Sequence, residues 1–285
     1  VDIRPQDLPE LRAELRAQMV NQKHIRRMWQ DAERPASKDG ADEVGQAFQQ
    51  LLDETELFHI SPPMTELACV ASESLTMFTL SPADLPSPVG LVIFGGHIRQ
   101  AIHFEDGCTT PLRGAIWGSD DTRFMVIPVA DPHDGVPIEG RLVAYPDMHF
   151  GNEFGEELEN VEIDRSSIQT LEFLALILTT WLLMAQPLAS SEQIEPDRAV
   201  KKRLRRAGHE PASVRVIELR RPKHAGSEPV ESGREYHHRW ITRGHWRQQW
   251  YPARQVHRPV WIAPHVKGPE GAPLIGGEKV YAWKR

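Results

Sequence analysis

The chain reads as an α+β protein, with an acidic helical and antiparallel-sheet N-terminal part and a small basic β-rich C-terminal domain. Three observations carry this. Apolar residues recur at helical spacing over roughly the first 80 positions, short β-type runs follow a proline-rich break, and the charge reverses near Pro196. Residues 196–285 hold 20 Lys and Arg against 8 Asp and Glu, a net of +12, whereas residues 1–195 hold 13 against 32, a net of −19. The whole-chain value of −7 hides this polarity. With 40% hydrophobic and 26% charged residues over 285 positions, the chain can bury a core, which excludes disorder throughout.

The organisation expected is an acidic α+β domain over residues 1–190, a basic helical connection over 191–212 and a basic aromatic β domain over 213–285. Within the first part, helices extend to about residue 80. The first follows Pro5, where Leu8, Leu11, Leu15, Met19 and Val20 recur at three- and four-residue spacing towards Trp29. Glu10 and Glu14 lie early in it and Arg26 and Arg27 late, which suits the helix dipole. A polar loop is expected from Glu33 to Asp42. A second helix is expected from Ala41 to Glu56, with Val44, Phe48, Leu51 and Leu52 on one side. A third begins after Ser61-Pro62-Pro63, carrying Met64, Leu67, Ala68, Ala71 and Leu75.

The prolines and serines of Ser81 to Pro88 interrupt any regular element. A meander over 89–146 is expected next, from Val89–Phe94, Ala101–Phe104, Leu112–Trp117, Arg123–Val129 and Arg141–Tyr145. The acidic stretch Asp147 to Asp164 reads as solvated loop or helix flank. An apolar core helix over 167–186 closes this half. Its apolar run from Leu171 to Leu188 is interrupted near both ends, leaving about 14 unbroken residues against the ~20 that span a bilayer, so no membrane segment is expected.

Past Pro187, the segment from Ala189 to Pro196 reads as a connection. Asp197 is placed to cap a short helix carrying Arg198, Lys201, Lys202, Arg203, Arg205 and Arg206 up to Gly208. Four strands are expected after it: Val214–Leu219, Tyr236–Trp250 with a bend, Pro259–Val266 and Lys279–Trp283. From Tyr236 to Tyr251 the even positions include Tyr236, Trp240, Trp246 and Trp250, while the odd ones include His237, Arg239, Arg243, His245 and Arg247. Successive strand residues face opposite ways, so one face would be mostly aromatic and the other cationic. Gly244 marks the expected bulge or bend.

In the next strand, Trp261, His265 and Lys267 alternate with Val260, Ile262 and Val266. Antiparallel pairing is expected to bring the first set beside the preceding arginines and histidines. With Lys202, Arg205 and Arg206 of the helix, these make a candidate nucleic-acid surface of Arg239, Arg243, Arg247, Trp261 and Lys267. Cations neutralise phosphates and rings stack on unpaired bases, which favours RNA or a single strand. Two other readings stand beside it. Trp240, Trp246, Trp250 and Trp283 equally suit the core of a small β domain. The basic face could also dock on the acidic half within one molecule or a homodimer.

The same surface has the residue types of a metal-independent, toxin-like endoribonuclease. His237, His245 and His265 could exchange protons near neutral pH while Arg243, Arg247 and Lys267 stabilise charge on phosphorus. A protein-interaction module is a further alternative. No cofactor and no metal are expected. The groups Asp131, His133, Asp134 and Asp147, His149, Glu153 read as turn-forming sequence. The Gly95-Gly96 pair lacks a phosphate-loop pattern, and no Ser or Cys lies in a nucleophile motif. With only Cys69 and Cys108 there is no disulfide framework. The opening Val1-Asp2-Ile3-Arg4-Pro5 has no basic region before an apolar run, so a cytoplasmic location is expected.

The segments Arg243 to Pro252 (RGHWRQQWYP), His257 to Pro269 (HRPVWIAPHVKGP) and Asp84 to Gly90 (DLPSPVG) resemble an uncharacterised protein family of high-GC bacterial genomes and their phages or plasmids. The resemblance implies a bacterial, mobile-element setting. It carries over no activity and no catalytic residue.

Overall fold

The computed structural model describes residues 3–18, 38–76, 78–103, 107–132, 140–145, 150–154, 168–220, 237–253, 255–269 and 271–273. The chain divides into two compact units, Val1–Arg220 and Arg221–Arg285. Five α-helices and thirteen strands are described. The helices are α1 (Leu8–Gln18), α2 (Lys38–Glu54), α3 (Pro62–Ser72), α4 (Ile168–Met184) and α5 (Arg198–Arg206). The first unit carries β1 (Glu56–Ile60), β2 (Val89–Phe94), β3 (Ala101–His103), β4 (Thr109–Ser119), β5 (Arg123–Ala130), β6 (Val143–Ala144), β7 (Phe150–Glu153), β8 (Ala189–Ile194) and β9 (Val214–Leu219). The second carries β10 (Trp240–Thr242), β11 (His245–Tyr251), β12 (Val256–Ile262) and β13 (His265–Lys267).

The fold is mixed α+β, but the large sheet is not purely antiparallel. Its order is β6-β5-β4-β2-β1-β9-β8, with β3 on β4 and β7 on β5. β1 runs parallel to both β2 and β9, while β2, β4 and β5 form the expected antiparallel meander. β1 is the element that periodicity overlooks. Leu57-Phe58-His59-Ile60 lies between a helix and the Pro62-Pro63 start of the next, and three apolar residues and one histidine are too short a run to show a period. Parallel pairing of β1 with β2 requires a crossover, which α3 supplies.

Alternation along the strands divides the core into two layers. On one face Leu57, Leu91, Ile93, Ile116, Ile127 and Val214 meet Leu8, Leu11 and Leu15 of α1 and Phe48 and Leu52 of α2. On the other, Trp117 lies 5.4 Å from both Phe58 and Trp181 of α4, and Phe124 lies 6.4 Å from Trp181. α4 is apolar on all sides because it is central, and α3 packs against it. No helix among the described residues is long and apolar enough to cross a membrane.

The boundary expected over 191–212 falls instead after Arg220. The segment expected as a connection is the edge strand β8, paired along its length with β9. β9, expected to open the C-terminal domain, lies between β1 and β8 in the first unit. α5 also belongs to this unit. Val200 and Leu204 are buried, and Arg203 Nη2 donates to Glu10 Oε2 of α1 at 3.0 Å. That bond holds the Arg203 guanidinium above its ordinary pKa. The Asp197 side chain makes no capping bond; Gly208, at φ +80°, ends the helix while His209 N–H donates to the Leu204 carbonyl at 2.9 Å. Recut at the structural boundary, residues 1–220 have a net charge of −14 and residues 221–285 a net of +7.

Several expectations fall on residues outside those described: the helix beyond Gln18 towards Trp29, Phe104, His133, Asp134, Asp147, His149 and the strand Lys279–Trp283. Of the acidic stretch, Phe150–Glu153 is strand β7 paired with β5, a correction to loop or helix flank. Asp131 pairs with Arg113 at 2.7 Å, and Glu153 with Arg123 at 3.4 Å.

Gly90 sits opposite Trp117, and a Cβ there would overlap the indole ring. Gly90→Ala is expected to lower stability by about 1–3 kcal/mol, read by urea denaturation. An unchanged denaturation midpoint would contradict this seating of Trp117.

Candidate nucleic-acid interface

The second unit is built on one long antiparallel ribbon. β11 pairs with β12 from His245 opposite Ile262 to Tyr251 opposite Val256, and β10 pairs with β13 from Trp240 opposite Lys267 to Thr242 opposite His265. Two residues on each arm, Arg243-Gly244 and Ala263-Pro264, separate the two ladders. Equal lengths on both arms preserve the register across this interruption, so no bulge shifts the phase. Gly244 is required there by close approach, because a Cβ would overlap the Trp261 indole.

Register decides which side chains share a surface. Opposed residues have opposite parity, so the even positions of the first arm face the same way as the odd positions of the second. Trp240, Thr242, Trp246 and Trp250 therefore share a face with Lys267, His265, Trp261 and His257. Ile241, His245, Arg247 and Tyr251 share the other with Val266, Ile262, Val260 and Val256. The expected meeting of Trp261, His265 and Lys267 with Arg243, His245 and Arg247 does not occur.

The tryptophans divide between core and surface. Trp246 and Trp261 are 9% and 5% exposed, with rings 5.4 Å apart at 66°. Trp261 is thus a packing residue and not an open stacking platform. Trp240 is half-buried beside His238, with ring centroids 5.9 Å apart. Trp250, expected to suit the core, is 43% exposed.

The cations divide as well. Arg243, Arg247 and Lys267 are exposed. Arg247 Nη2 donates to Gln249 Oε1 at 2.8 Å, two residues on and on the same face. Arg239 is half-buried and structural: its N–H donates to the Pro273 carbonyl and its Nε to the Ala272 carbonyl, both at 2.8 Å. Lys202, Arg205 and Arg206 are exposed on α5, in the first unit, where with Arg198 and Lys201 they line an open surface concavity. Their neighbours are neutralised, Lys201 by Glu195 at 3.0 Å and Arg203 by Glu10. Arg215 and Glu56 form a further pair at 2.7 Å, so all three pairs lie within the first unit and none involves the ribbon.

The three histidines do not form one constellation. His237 precedes the strands and is exposed. His245 Nδ1 lies 3.1 Å from the Arg243 carbonyl and His265 Nδ1 lies 3.0 Å from the Ala263 carbonyl, but register places the two on opposite faces. A base and an acid acting on one phosphate must both reach it.

The residues overlooked by alternation alone are Trp250 and Tyr251 at the ribbon end. Their proximity to Pro252, which starts the turn closed by Gln255 N–H to the Pro252 carbonyl at 3.3 Å, was the available signal. The Trp246–Trp261 pair generates a prediction. Trp261→Ala should cost about 3–5 kcal/mol and abolish hydrogen-exchange protection in β10 to β13, leaving β1 and β2 protected. Equal loss in both units would refute this prediction.

No family model and no curated protein matches the chain. Among solved structures it is similar to "Crystal structure of AcrVA2", at 15% identity and a TM-score of 0.44, over 91% of this chain and 98% of that one.

Proposed function

We propose that the chain binds nucleic acid, RNA or single-stranded DNA, through the ribbon of the second unit. The observation carrying this reading is the set of exposed cations Arg243, Arg247 and Lys267 on a ribbon whose described residues include no Asp or Glu. Such cations meet no carboxylate of the described ribbon, and a polyphosphate that binds them releases its own counterions. Lys202, Arg205 and Arg206 of α5 supply a further phosphate-binding patch in this reading. The acidic first unit, at a net of −14, restrains access of a polyanion by repulsion. The setting is bacterial or mobile-element encoded, and cytoplasmic, where the thiols of Cys69 and Cys108, neither of them in a disulfide, stay reduced.

Binding without cleavage is favoured because His245 and His265 lie on opposite faces of the ribbon. Fluorescence anisotropy of the full chain with labelled uridine and thymidine oligonucleotides, between about 50 and 200 mM salt, tests the reading. The wild type should bind with affinity that falls steeply with salt. Arg243→Ala with Arg247→Ala should weaken binding and flatten the log–log salt slope by about 1.4, roughly 0.7 for each phosphate that no longer meets a cation. Absence of salt-sensitive binding by the wild type would refute the proposal, and chelator-resistant cleavage would replace it with the ribonuclease.

A further inference from the structure

Trp250 and Tyr251 are the most exposed aromatic side chains among the described residues, at 43% and 42%. They are consecutive and lie at the end of β11, immediately before the turn that reverses the ribbon. Consecutive strand residues point to opposite faces, so each face of the ribbon end carries one ring. Trp250 has His257 opposite it, with ring centroids 4.8 Å apart at 47°, which braces one side of the indole. Tyr251 continues the row of His245, Arg247 and Gln249, and lies about 13 Å along the strand from Arg247.

The position of these rings is informative because the same ribbon buries others. Trp246 and Trp261 pack together in its middle, so the unit has apolar contacts available for indoles. A phosphate-binding face made only of cations draws duplex and single strand alike, and a two-stranded ribbon fits a duplex major groove. Rings on both faces of the end oppose flat docking into a groove. They offer instead what unpaired bases need, an open π-surface that stacked duplex bases cannot reach.

We infer that the ribbon end, Trp250 braced by His257 together with Tyr251, is a base-stacking site that selects single-stranded over duplex nucleic acid. The inference rests on the proposed reading of the ribbon as a nucleic-acid surface, and moves the stacking role from Trp261 to residues at the turn. Stacking is indifferent to base identity, so the site takes unpaired bases of any sequence, with the exposed arginines holding the backbone.

The test uses the full chain, anisotropy with a uridine oligonucleotide, a thymidine oligonucleotide and a duplex, and the variants Trp250→Ala, Tyr251→Ala and Trp250→Phe. Trp250→Ala should weaken binding of both single strands by about 5- to 150-fold, the range for one stacked base, and leave duplex binding within about twofold. Trp250→Phe should retain most of the affinity, since it keeps a ring. Hydrogen exchange in β11 and β12 should be unchanged by these exposed substitutions. The stacking site is overturned if Trp250→Ala and Tyr251→Ala leave the ratio of single-strand to duplex affinity unaltered while Arg243→Ala with Arg247→Ala still weakens both. It is also overturned if Trp250→Ala affects all three ligands equally. If the wild type binds none of them, the underlying reading fails and the stacking site with it.

Discussion

The first unit depends on β1, a five-residue strand with a hydrogen-bonded neighbour on each side. Leu57 aligns with Leu91 on one edge and with Val214 on the other, so the strand joins segments far apart in sequence. Its alternation also divides the core, sending Leu57 towards α1 and α2 and Phe58 towards Trp117. A sheet buried on both faces needs helices on both, and the order of elements follows from that requirement.

That pairing also decides where positive charge goes. Once β9 is held against β1, α5 is carried on the connection between β8 and β9 and its Val200 and Leu204 stripe is buried. Glu10, Glu195 and Glu56 then neutralise Arg203, Lys201 and Arg215. Exposed pairs of this kind contribute little stability each, because water screens them. Their main consequence is electrostatic, since they leave less of the helix's charge available to an outside ligand. In the ribbon, by contrast, Arg243 and Arg247 stand in a run from Tyr236 to Pro269 that contains no Asp or Glu, and Arg239 is turned to the backbone.

Legibility in the sequence followed physical type. The apolar positions Leu8, Leu11 and Leu15 show a helical period and are all buried, and the strands of the meander are bounded by Gly, Asp and Pro. β1 and β8 were not legible. One, Glu-Leu-Phe-His-Ile, is too short to show a period, and the other, Ala-Ser-Ser-Glu-Gln-Ile, is a polar edge whose strand character comes from its partner β9. The alternation of the ribbon was legible within one arm, but the surface formed by two arms depends on register, which strand sequence alone leaves open.

By itself the sequence determined the α+β class, the helical and strand character of most segments and the polarity of charge, because periodicity and composition are local properties. Tertiary structure alone decided that Val214–Leu219 belongs to the large sheet, that the division falls after Arg220, that Trp261 is buried and Trp250 exposed, and that His245 and His265 face opposite ways. These outcomes depend on pairing and packing between segments, set by hydrogen bonds and contacts that no local pattern records.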